Sequence, residues 1–296
     1  MKTGDEDMGV TKKSFGKSPE GKDVFLYELS NENGMSVSVT DFGAILVRVM
    51  VPDKDKNLTD VVLGYDNVEG YYENKPHFGS PIGRNGNRIG GAKFTINGKE
   101  YVLAQNDNKN NLHSGPDFYR IRVWDVERVE EQENSITFRI FSPDGDQGFP
   151  GNFTGYVTYK LTQDNELVMH YTGSADADTV VNMTNHSYFN LAGHNAGAES
   201  MLNHVVQIHA PEFTPVSDSE AIPTGEILKV EGTPMDFTSP KKIGQDVEDS
   251  YEQLVFGGGY DHNYALSREK GDVKEAASVH SHETGITMKV FTDLPG

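Results

Sequence analysis

Alternation of apolar and polar residues dominates the chain. The segment MSVSVT at residues 35–40 alternates strictly, which is typical of a strand with one buried face. The segment AILVRVMV at residues 44–51 is almost continuously apolar, as expected of a strand that is buried more completely. The same kind of pattern predicts further strands within residues 93–103, 135–141, 155–162, 166–172, 205–210 and 285–292.

Turn signals separate these strands at short intervals. Asn97-Gly98 lies between two β-rich arms, and Asn-Gly tolerates the positive φ angles of a type I′ hairpin turn. The segment LTQDNELV supplies another turn, and no long amphipathic helix is evident. Many short strands with frequent turns indicate an all-β sandwich or barrel. We therefore predict one β domain over residues 21–296, preceded by a loose polar arm over residues 1–20.

The composition matters mainly through what it excludes. The 45 acidic and 26 basic side chains give a net charge of −19, and such a surface repels the phosphates of nucleic acid, so we expect no nucleic-acid partner. No run of 18 apolar residues occurs, so no membrane contact is expected. The absence of cysteine excludes disulfides, thiolate metal sites and cysteine nucleophiles. The first residues, MKTGDEDMGVTKK, lack the apolar core of a signal peptide, which predicts a cytoplasmic protein.

A Gly-rich polar loop is predicted at residues 83–94, with the sequence GRNGNRIGGAKF. It places Arg84 and Arg88 among glycine and asparagine residues. Arginine presents a fixed fork of hydrogen-bond donors, so this loop is suited to a hydroxyl-rich ligand. The alternative, which spacing alone favours, is that both arginines tie down nearby carboxylates.

Two loop histidines and an aspartate extend this polar set. His113 lies in NNLHSG, His186 in TNHSYFNLAGH, and Asp261 in GGGYDHNYAL. Imidazole titrates near neutral pH and can donate or accept a proton. Each histidine alone is more often structural than catalytic, but the set as a whole predicts a polar site at strand ends.

Other catalytic classes fit the sequence poorly. Zinc signatures use cysteine or closely spaced histidines, whereas His186 and His194 are eight positions apart with no helix predicted between them. No Gly-x-Ser-x-Gly turn for a serine nucleophile occurs. The chain also lacks the βαβ units of a dinucleotide fold.

Five separated segments resemble the aldose 1-epimerase family, which includes the galactose mutarotases, in their order and approximate spacing. They are GRNGNRIGGAKFTINGKEYVLAQND, NNLHSG, DGDQGFPGN, TNHSYFNLAGH and YDHNYAL. The resemblance implies a large antiparallel β-sandwich of the galactose mutarotase type, a supersandwich. It also implies interconversion of the α and β anomers of free hexoses such as galactose and glucose, without metal or organic cofactor.

The resemblance implies a role for each matched site residue. His186 corresponds to the general acid of the family. His113 assists at the sugar ring, as a second catalytic and substrate-binding residue. Asn87, Arg88 and Asp261 correspond to residues that bind sugar hydroxyls. The implied partner is a neutral monosaccharide, and we expect a monomer or a weak dimer.

The resemblance also implies residues that no position of this chain matches. The catalytic base of the family is a glutamate in a late motif, and a glutamine that contacts the sugar follows the Pro-Gly after FTD. Because the sequence ends at Pro295-Gly296, we expect both residues and the last strands to be missing, as in a fragment of a longer protein. The alternatives are that a second polypeptide supplies them, or that a natural chain of this length binds sugar weakly or not at all.

The sequence is also compatible with two other functions. One is a non-catalytic sugar-binding module that has lost the catalytic glutamate. The other is a hexose-phosphate mutarotase, which the acidic charge disfavours but which Arg84 and Arg88 keep open. For all of these functions, Tyr188 is the expected aromatic platform beneath a sugar ring.

Overall fold

The computed structural model describes residues 9–266 and 271–296. Over this part of the chain it shows 22 short strands and three short helices. Each pair of neighbouring strands in its sheets runs antiparallel. The all-β antiparallel prediction is therefore confirmed. None of the helices in the described residues is long and apolar enough to cross a membrane.

The chain divides into two compact units. The first comprises the described residues up to Pro52 together with Asn57–Phe189, and the second comprises Asp53–Lys56 together with Asn190–Gly296. The single domain predicted over residues 21–296 stays a prediction.

A five-stranded sheet in the order β1-β2-β3-β4-β5 forms one layer of the first unit. The strands predicted at residues 35–40 and 44–51 are confirmed as β3 and β4. Buried apolar residues of this sheet pack against helix α1, whose first turn is capped by the side chain of Asn67. The bounds are β1 (Gly9–Lys17), β2 (Asp23–Ser30), β3 (Ser36–Thr40), β4 (Leu46–Pro52), β5 (Leu58–Asp60) and α1 (Val68–Glu73).

The N-terminal segment differs from the loose arm expected at residues 1–20. Residues 9–17 form β1, which pairs with β2 along its whole length around a bulge between Ser14 and Gly16. Phe15 packs against Tyr71 of α1, with ring centroids 6.2 Å apart. The polar composition concealed this strand because an edge strand needs few apolar residues. Residues 1–8 lie outside the described part of the chain.

A four-stranded sheet in the order β11-β12-β13-β14 forms a second layer of the first unit. It confirms the strands predicted within residues 135–141, 155–162 and 166–172. The layers meet where Tyr27 packs edge-on against Phe138, with centroids 5.9 Å apart, and where the Tyr159 hydroxyl donates to the Ala44 carbonyl at 2.7 Å. The bounds are β11 (Asp125–Glu130), β12 (Ser135–Ser142), β13 (Phe153–Leu161) and β14 (Leu167–Ala175).

The hairpin predicted around Asn97-Gly98 is confirmed. Strands β8 (Lys93–Ile96) and β9 (Lys99–Val102) pair directly across these two residues. Asn97 has φ 50° and Gly98 has φ 77°, and positive φ at both central positions is what a type I′ turn requires.

Four very short strands complete the first unit and form two separate ladders. Strand β6 pairs with β15, and β7 pairs with β10. Each is two residues long, which is too short for alternation to be recognised in a sequence. Their bounds are β6 (Pro81–Ile82), β7 (Arg88–Ile89), β10 (Asn111–Leu112) and β15 (Thr184–Asn185).

The second unit holds a four-stranded sheet, β19-β16-β21-β22, and a three-stranded sheet, β18-β17-β20. These confirm strands within the predicted residues 205–210 and 285–292. Its core includes Phe213, Met235 and Leu254. The bounds are β16 (Val205–Ile208), β17 (Glu212–Phe213), β18 (Leu228–Lys229), β19 (Lys241–Lys242), β20 (Tyr264–Ala265), β21 (Lys274–His280), β22 (Thr287–Thr292), α2 (Ala198–Leu202) and α3 (Glu252–Gly257).

Candidate active site

The two short ladders of the first unit hold the segments that carry the predicted histidines. In the β7–β10 ladder, Leu112 pairs with Arg88, which places His113 directly across from Asn87. In the β6–β15 ladder, Asn185 pairs with Pro81, and the next amide, that of His186, donates to the Ser80 carbonyl at 2.9 Å. Both histidines therefore follow the last paired residue of a strand, as predicted.

His113 is fixed in both backbone and ring. Its backbone has φ 54°, and its amide donates to the Asn87 carbonyl at 2.9 Å. In return, the amide of Asn87 donates to the His113 Nδ1 at 2.9 Å. A ring nitrogen that accepts from an N–H carries no proton, so a neutral His113 is the Nε2–H tautomer. The loop therefore presents His113 as a hydrogen-bond donor at Nε2.

His186 lies beside His113, with ring centroids 5.0 Å apart and the rings nearly perpendicular. Its neighbours Asn185 and Ser187 bond to each other, because the Ser187 amide and hydroxyl both donate to the Asn185 Oδ1. On its other side His186 packs against Tyr188 at 5.3 Å between centroids. The two predicted histidines are thus brought together, with an aromatic ring next to them.

A third histidine, which the sequence analysis missed, completes this cluster. The His77 ring lies 5.1 Å from that of His113 and 5.6 Å from that of His186, measured between centroids. His77 is only 8% exposed, and its Nδ1 accepts from the Arg120 Nε at 3.2 Å. We call His77, His113 and His186 the imidazole cluster.

The surroundings keep two members of the cluster neutral at physiological pH. Burial lowers the pKa of His77 to about 3, and the positive charges of Arg120 and His186 add to this effect. Burial likewise lowers the pKa of His113 to about 3, with further contributions from His186, His77 and Arg88. Like charges close together disfavour a second cation, so the cluster accommodates at most one proton.

Asn87 and Arg88 lie at the edge of the cluster. Asn87 is exposed with φ 60°. The Arg88 Nε donates to Asp107 at 2.7 Å, and its Nη1 is 3.5 Å from the Asn87 Oδ1. The ion pair with Asp107 fixes the guanidinium of Arg88, whose side chain is 20% exposed. The structure therefore brings together four of the five predicted site residues.

The chain is similar to known proteins over most of its length. The family model described as aldose 1-epimerase matches residues 26–296. The chain belongs to the aldose 1-epimerase family. It is 38% identical over 290 residues to a galactose mutarotase of Bos taurus, a match that covers 98% of this chain and 81% of the relative. It is 36% identical over 279 residues to an aldose 1-epimerase of Escherichia coli (strain K12), covering 94% and 78% of the two chains.

Solved structures of aldose epimerases are similar as well. A galactose 1-epimerase from Lactobacillus acidophilus NCFM matches with a TM-score of 0.82 at 26% identity, over 93% of this chain and 78% of that one. A GalM/aldose epimerase homologue from C. elegans matches with a TM-score of 0.79 at 29% identity, over 88% and 77%. The predicted fold type and family are therefore confirmed.

Arg84 occupies a different position from the one considered for it in the sequence. Its side chain is fully buried, and its guanidinium donates to the carbonyls of Ser142, Pro150 and Gly151 at 2.8–3.2 Å. Two hydroxyls, those of Ser142 and Thr179, also accept from it. Arg84 therefore connects loops in the interior of the protein, and its buried side chain cannot contact a ligand.

Asp261 belongs to the second unit, in the segment that follows α3. It is exposed, and the neighbouring His262 packs edge-on against Phe213 of the core, with centroids 5.8 Å apart. A contribution of Asp261 to sugar binding stays a prediction.

Over residues 9–266 and 271–296, no three His, Cys, Asp or Glu side chains are grouped so that they could hold a metal ion.

His77 could be recognised from the sequence only with difficulty. The segment ENKPHFGS has no strand alternation and matches none of the short motifs used to find catalytic residues. Its partner Arg120 lies 43 positions away along the chain. Only tertiary structure brings the two together.

Proposed function

We propose that this chain is an aldose 1-epimerase that interconverts the α and β anomers of free hexoses such as galactose and glucose. The observation that carries the proposal is the pairing of His186 with a tautomer-locked His113 at 5.0 Å between centroids. This pairing occurs within segments matched by the aldose 1-epimerase family model.

The proposed reaction is a reversible ring opening. A base takes the proton from the anomeric hydroxyl, the bond between C1 and the ring oxygen breaks, and an acid delivers a proton to that oxygen. The open-chain aldehyde turns about the C1–C2 bond, and the same steps in reverse close the ring on the other face. No atom is gained or lost, and each positioned proton transfer contributes roughly 10²–10⁴-fold to the rate.

His186 is the proposed general acid. Burial, with a further contribution from the charge of His186, keeps His77 and His113 neutral, which leaves His186 as the proposed proton carrier of the cluster. His113 is the proposed second catalytic group, because its Nε2–H can donate to a sugar oxygen without titrating. The resemblance assigns the role of base to a glutamate of a late motif that no position of this chain matches.

The remaining predicted residues are proposed to bind the sugar. Asn87 and Arg88 offer amide and guanidinium groups to its hydroxyls beside the cluster. Asp261 keeps the hydroxyl-binding role that its motif implies. Tyr188 is 45% exposed and its ring is braced by Phe78 at 5.4 Å, so it suits the apolar face of a pyranose.

A polarimetric experiment tests the proposed activity. Freshly dissolved α-galactose should reach its equilibrium rotation faster with the protein than in buffer, with a rate that saturates in sugar. Binding measured in parallel by titration calorimetry distinguishes the competing function. Saturable binding without any acceleration would overturn the proposal in favour of a non-catalytic sugar-binding module.

A hexose phosphate is the less favoured substrate. Of the two loop arginines considered for a phosphate, Arg84 is buried and Arg88 is already paired with Asp107. We therefore expect glucose 6-phosphate to compete with galactose only weakly. A stronger competition than that of glucose itself would make the phosphate sugar the better substrate.

A further inference from the structure

We propose that His77 and Arg120 form a positioning pair for His186, in which Arg120 locks His77 as a neutral Nε2–H imidazole so that the cluster proton is held on His186. The inference deepens the proposed function, since it concerns the acid of that same site. It rests on the geometry of the pair and not on any matched motif.

Arg120 is an unusual arginine for so acidic a chain. It is 6% exposed, yet no carboxylate within the described residues forms an ion pair with it. Its guanidinium lies over the Phe118 ring, 4.8 Å from the centroid, and its Nη1 has no hydrogen-bond partner in the part of the chain that the structure describes. Burying an unpaired charge is costly, so this side chain is kept at a price in stability.

The one hydrogen bond that the Arg120 side chain makes among the described residues defines the state of His77. Arginine has donors only, so the contact between its Nε and the His77 Nδ1 at 3.2 Å requires Nδ1 to be the acceptor. The proton of a neutral His77 must then be on Nε2. A second proton would have to be added at Nδ1, where it would face the Nε–H of a permanent cation. The low pKa of His77, about 3, agrees with this geometry.

The backbone ties His77 to His186. The His77 carbonyl accepts from the Ser80 amide at 3.1 Å, and the Ser80 carbonyl accepts from the His186 amide at 2.9 Å. The turn itself is held by the buried Asn74, whose Oδ1 accepts from the Phe78 amide at 2.9 Å. A displacement of His77 is therefore transmitted to the segment that carries the proposed acid.

The charged and titratable groups around His77 come from three segments. Arg120 approaches from the short 3-10 helix at residues 119–121, His113 from the loop after β10, and His186 from the end of β15. Phe118 closes a further side of the ring at 4.8 Å. His77 and His113 are thus both held as neutral Nε2–H donors beside the ring of the proposed acid, His186.

The tautomer of His77 can be measured directly. In protein labelled with ¹⁵N-histidine, ring nitrogen chemical shifts distinguish the Nε2–H and Nδ1–H tautomers and report protonation. We expect His77 to show the Nε2–H form without titration from about pH 5 to about pH 8. An Nδ1–H form, or titration of His77 within that range, would overturn the inference. This readout does not depend on turnover, so it stands apart from a failure of the proposed activity.

Replacing Arg120 tests whether it fixes the tautomer of His77. In the variant Arg120→Met, the His77 ring nitrogen shifts should move away from those of a pure Nε2–H form, because the donor that holds Nδ1 as an acceptor is gone, while burial still opposes protonation. The exposed Arg128 of β11 supplies a matched control, since Arg128→Met should leave His77 unchanged. Unchanged His77 resonances in a folded Arg120→Met protein would show that Arg120 does not set the tautomer.

Replacing His77 tests the positioning role in galactose turnover. His77→Phe keeps a ring but removes both nitrogens, and should lower kcat about 10-fold or more with KM changed less than about twofold, by analogy with partners that orient metal-bound imidazoles. His77→Gln keeps a donor near the Nε2 position and should recover most of this loss. The exposed His170 of β14 provides the control His170→Phe. Equal loss in the Gln and Phe variants would show that the ring nitrogens of His77 do not position His186.

Discussion

At the scale of single residues, the clearest feature is that identical side chains do different things. His113 and His77 each accept a hydrogen bond at Nδ1 and are kept neutral by burial, while His186, whose ring lies beside both, is the proposed acid. Spacing along the chain could suggest that His113 and His186 belong to a site. Spacing could not predict the neutral Nε2–H forms of His77 and His113, because only the fold brings the donors Arg120 and the Asn87 amide near their rings.

The tautomer of His113 makes a specific prediction. In His113→Asn, the amide oxygen can take the place of Nδ1 and accept from Asn87, so the loop should hold, but the Nε2–H donor is lost. We expect kcat/KM for galactose to fall about 10-fold, the worth of one net hydrogen bond of about 1.4 kcal/mol. Urea unfolding should show nearly unchanged stability. Wild-type kcat/KM in this variant would remove His113 from the site.

A second residue-scale prediction concerns Asp41, a 5% exposed carboxyl that accepts from the Phe25 amide at 2.9 Å. Burial raises the pKa of Asp41 to about 6, against partial opposition from hydrogen bonds and Lys12. Because the folded pKa lies above the unfolded value of about 3.9, the group favours the folded state most at low pH. That contribution is lost as the pH rises from about 4 through about 6.

Comparing the unfolding free energies of Asp41→Asn and the wild type measures this contribution of Asp41 to stability. The unfolding free energy of the wild type should fall relative to that of the variant, by up to about 3 kcal/mol, between about pH 4 and about pH 7.5. Urea titrations at the two pH values provide the difference. A constant difference between the two proteins would mean that Asp41 is already ionised at the lower pH.

At the scale of elements, alternation predicted several of the long strands, but not β1, β2, β11 or β21, and left out the shortest ones. Strands such as β12 and β13 have enough residues for the pattern to show, and Asn97-Gly98 marked its hairpin through a backbone requirement. The two-residue strands β7 and β15, which carry the site, leave no such pattern. The sequence indicated only the polar motifs next to them.

Arg84 shows an element-scale role for a residue that the sequence also placed in a possible binding loop. Its guanidinium satisfies carbonyl groups at the start and end of the loop between β12 and β13. In Arg84→Met these buried carbonyls lose their donors, at about 1–3 kcal/mol each. We expect the unfolding free energy to fall by about 3 kcal/mol or more.

The control for this loss is Arg128→Met. Arg128 is exposed in β11 and forms a surface ion pair with Glu130 at 3.1 Å, which is worth about 0–1 kcal/mol. Urea or thermal unfolding of both variants gives the comparison. If Arg84→Met cost no more than Arg128→Met, the buried bonds of Arg84 would not be holding the loop.

At the scale of the whole molecule, the sequence predicted the family, the all-β class and most long strands. The family motifs lie apart along the chain, and their order in sequence was enough to indicate the fold. The strand at residues 9–17 and the burial of Arg84 were not predicted. Both depend on partners elsewhere in the first unit, and composition carries no information about those partners.

The most direct test of the account is galactose anomerisation by His186→Asn, followed by polarimetry at saturating sugar beside the wild type. If His186 protonates the ring oxygen, kcat should fall at least ~10²-fold, because a positioned proton transfer is lost. The exposed-residue variant His170→Asn should retain wild-type kcat. Near-normal kcat in a folded His186→Asn protein would contradict the assignment of the acid and the mechanism built on it.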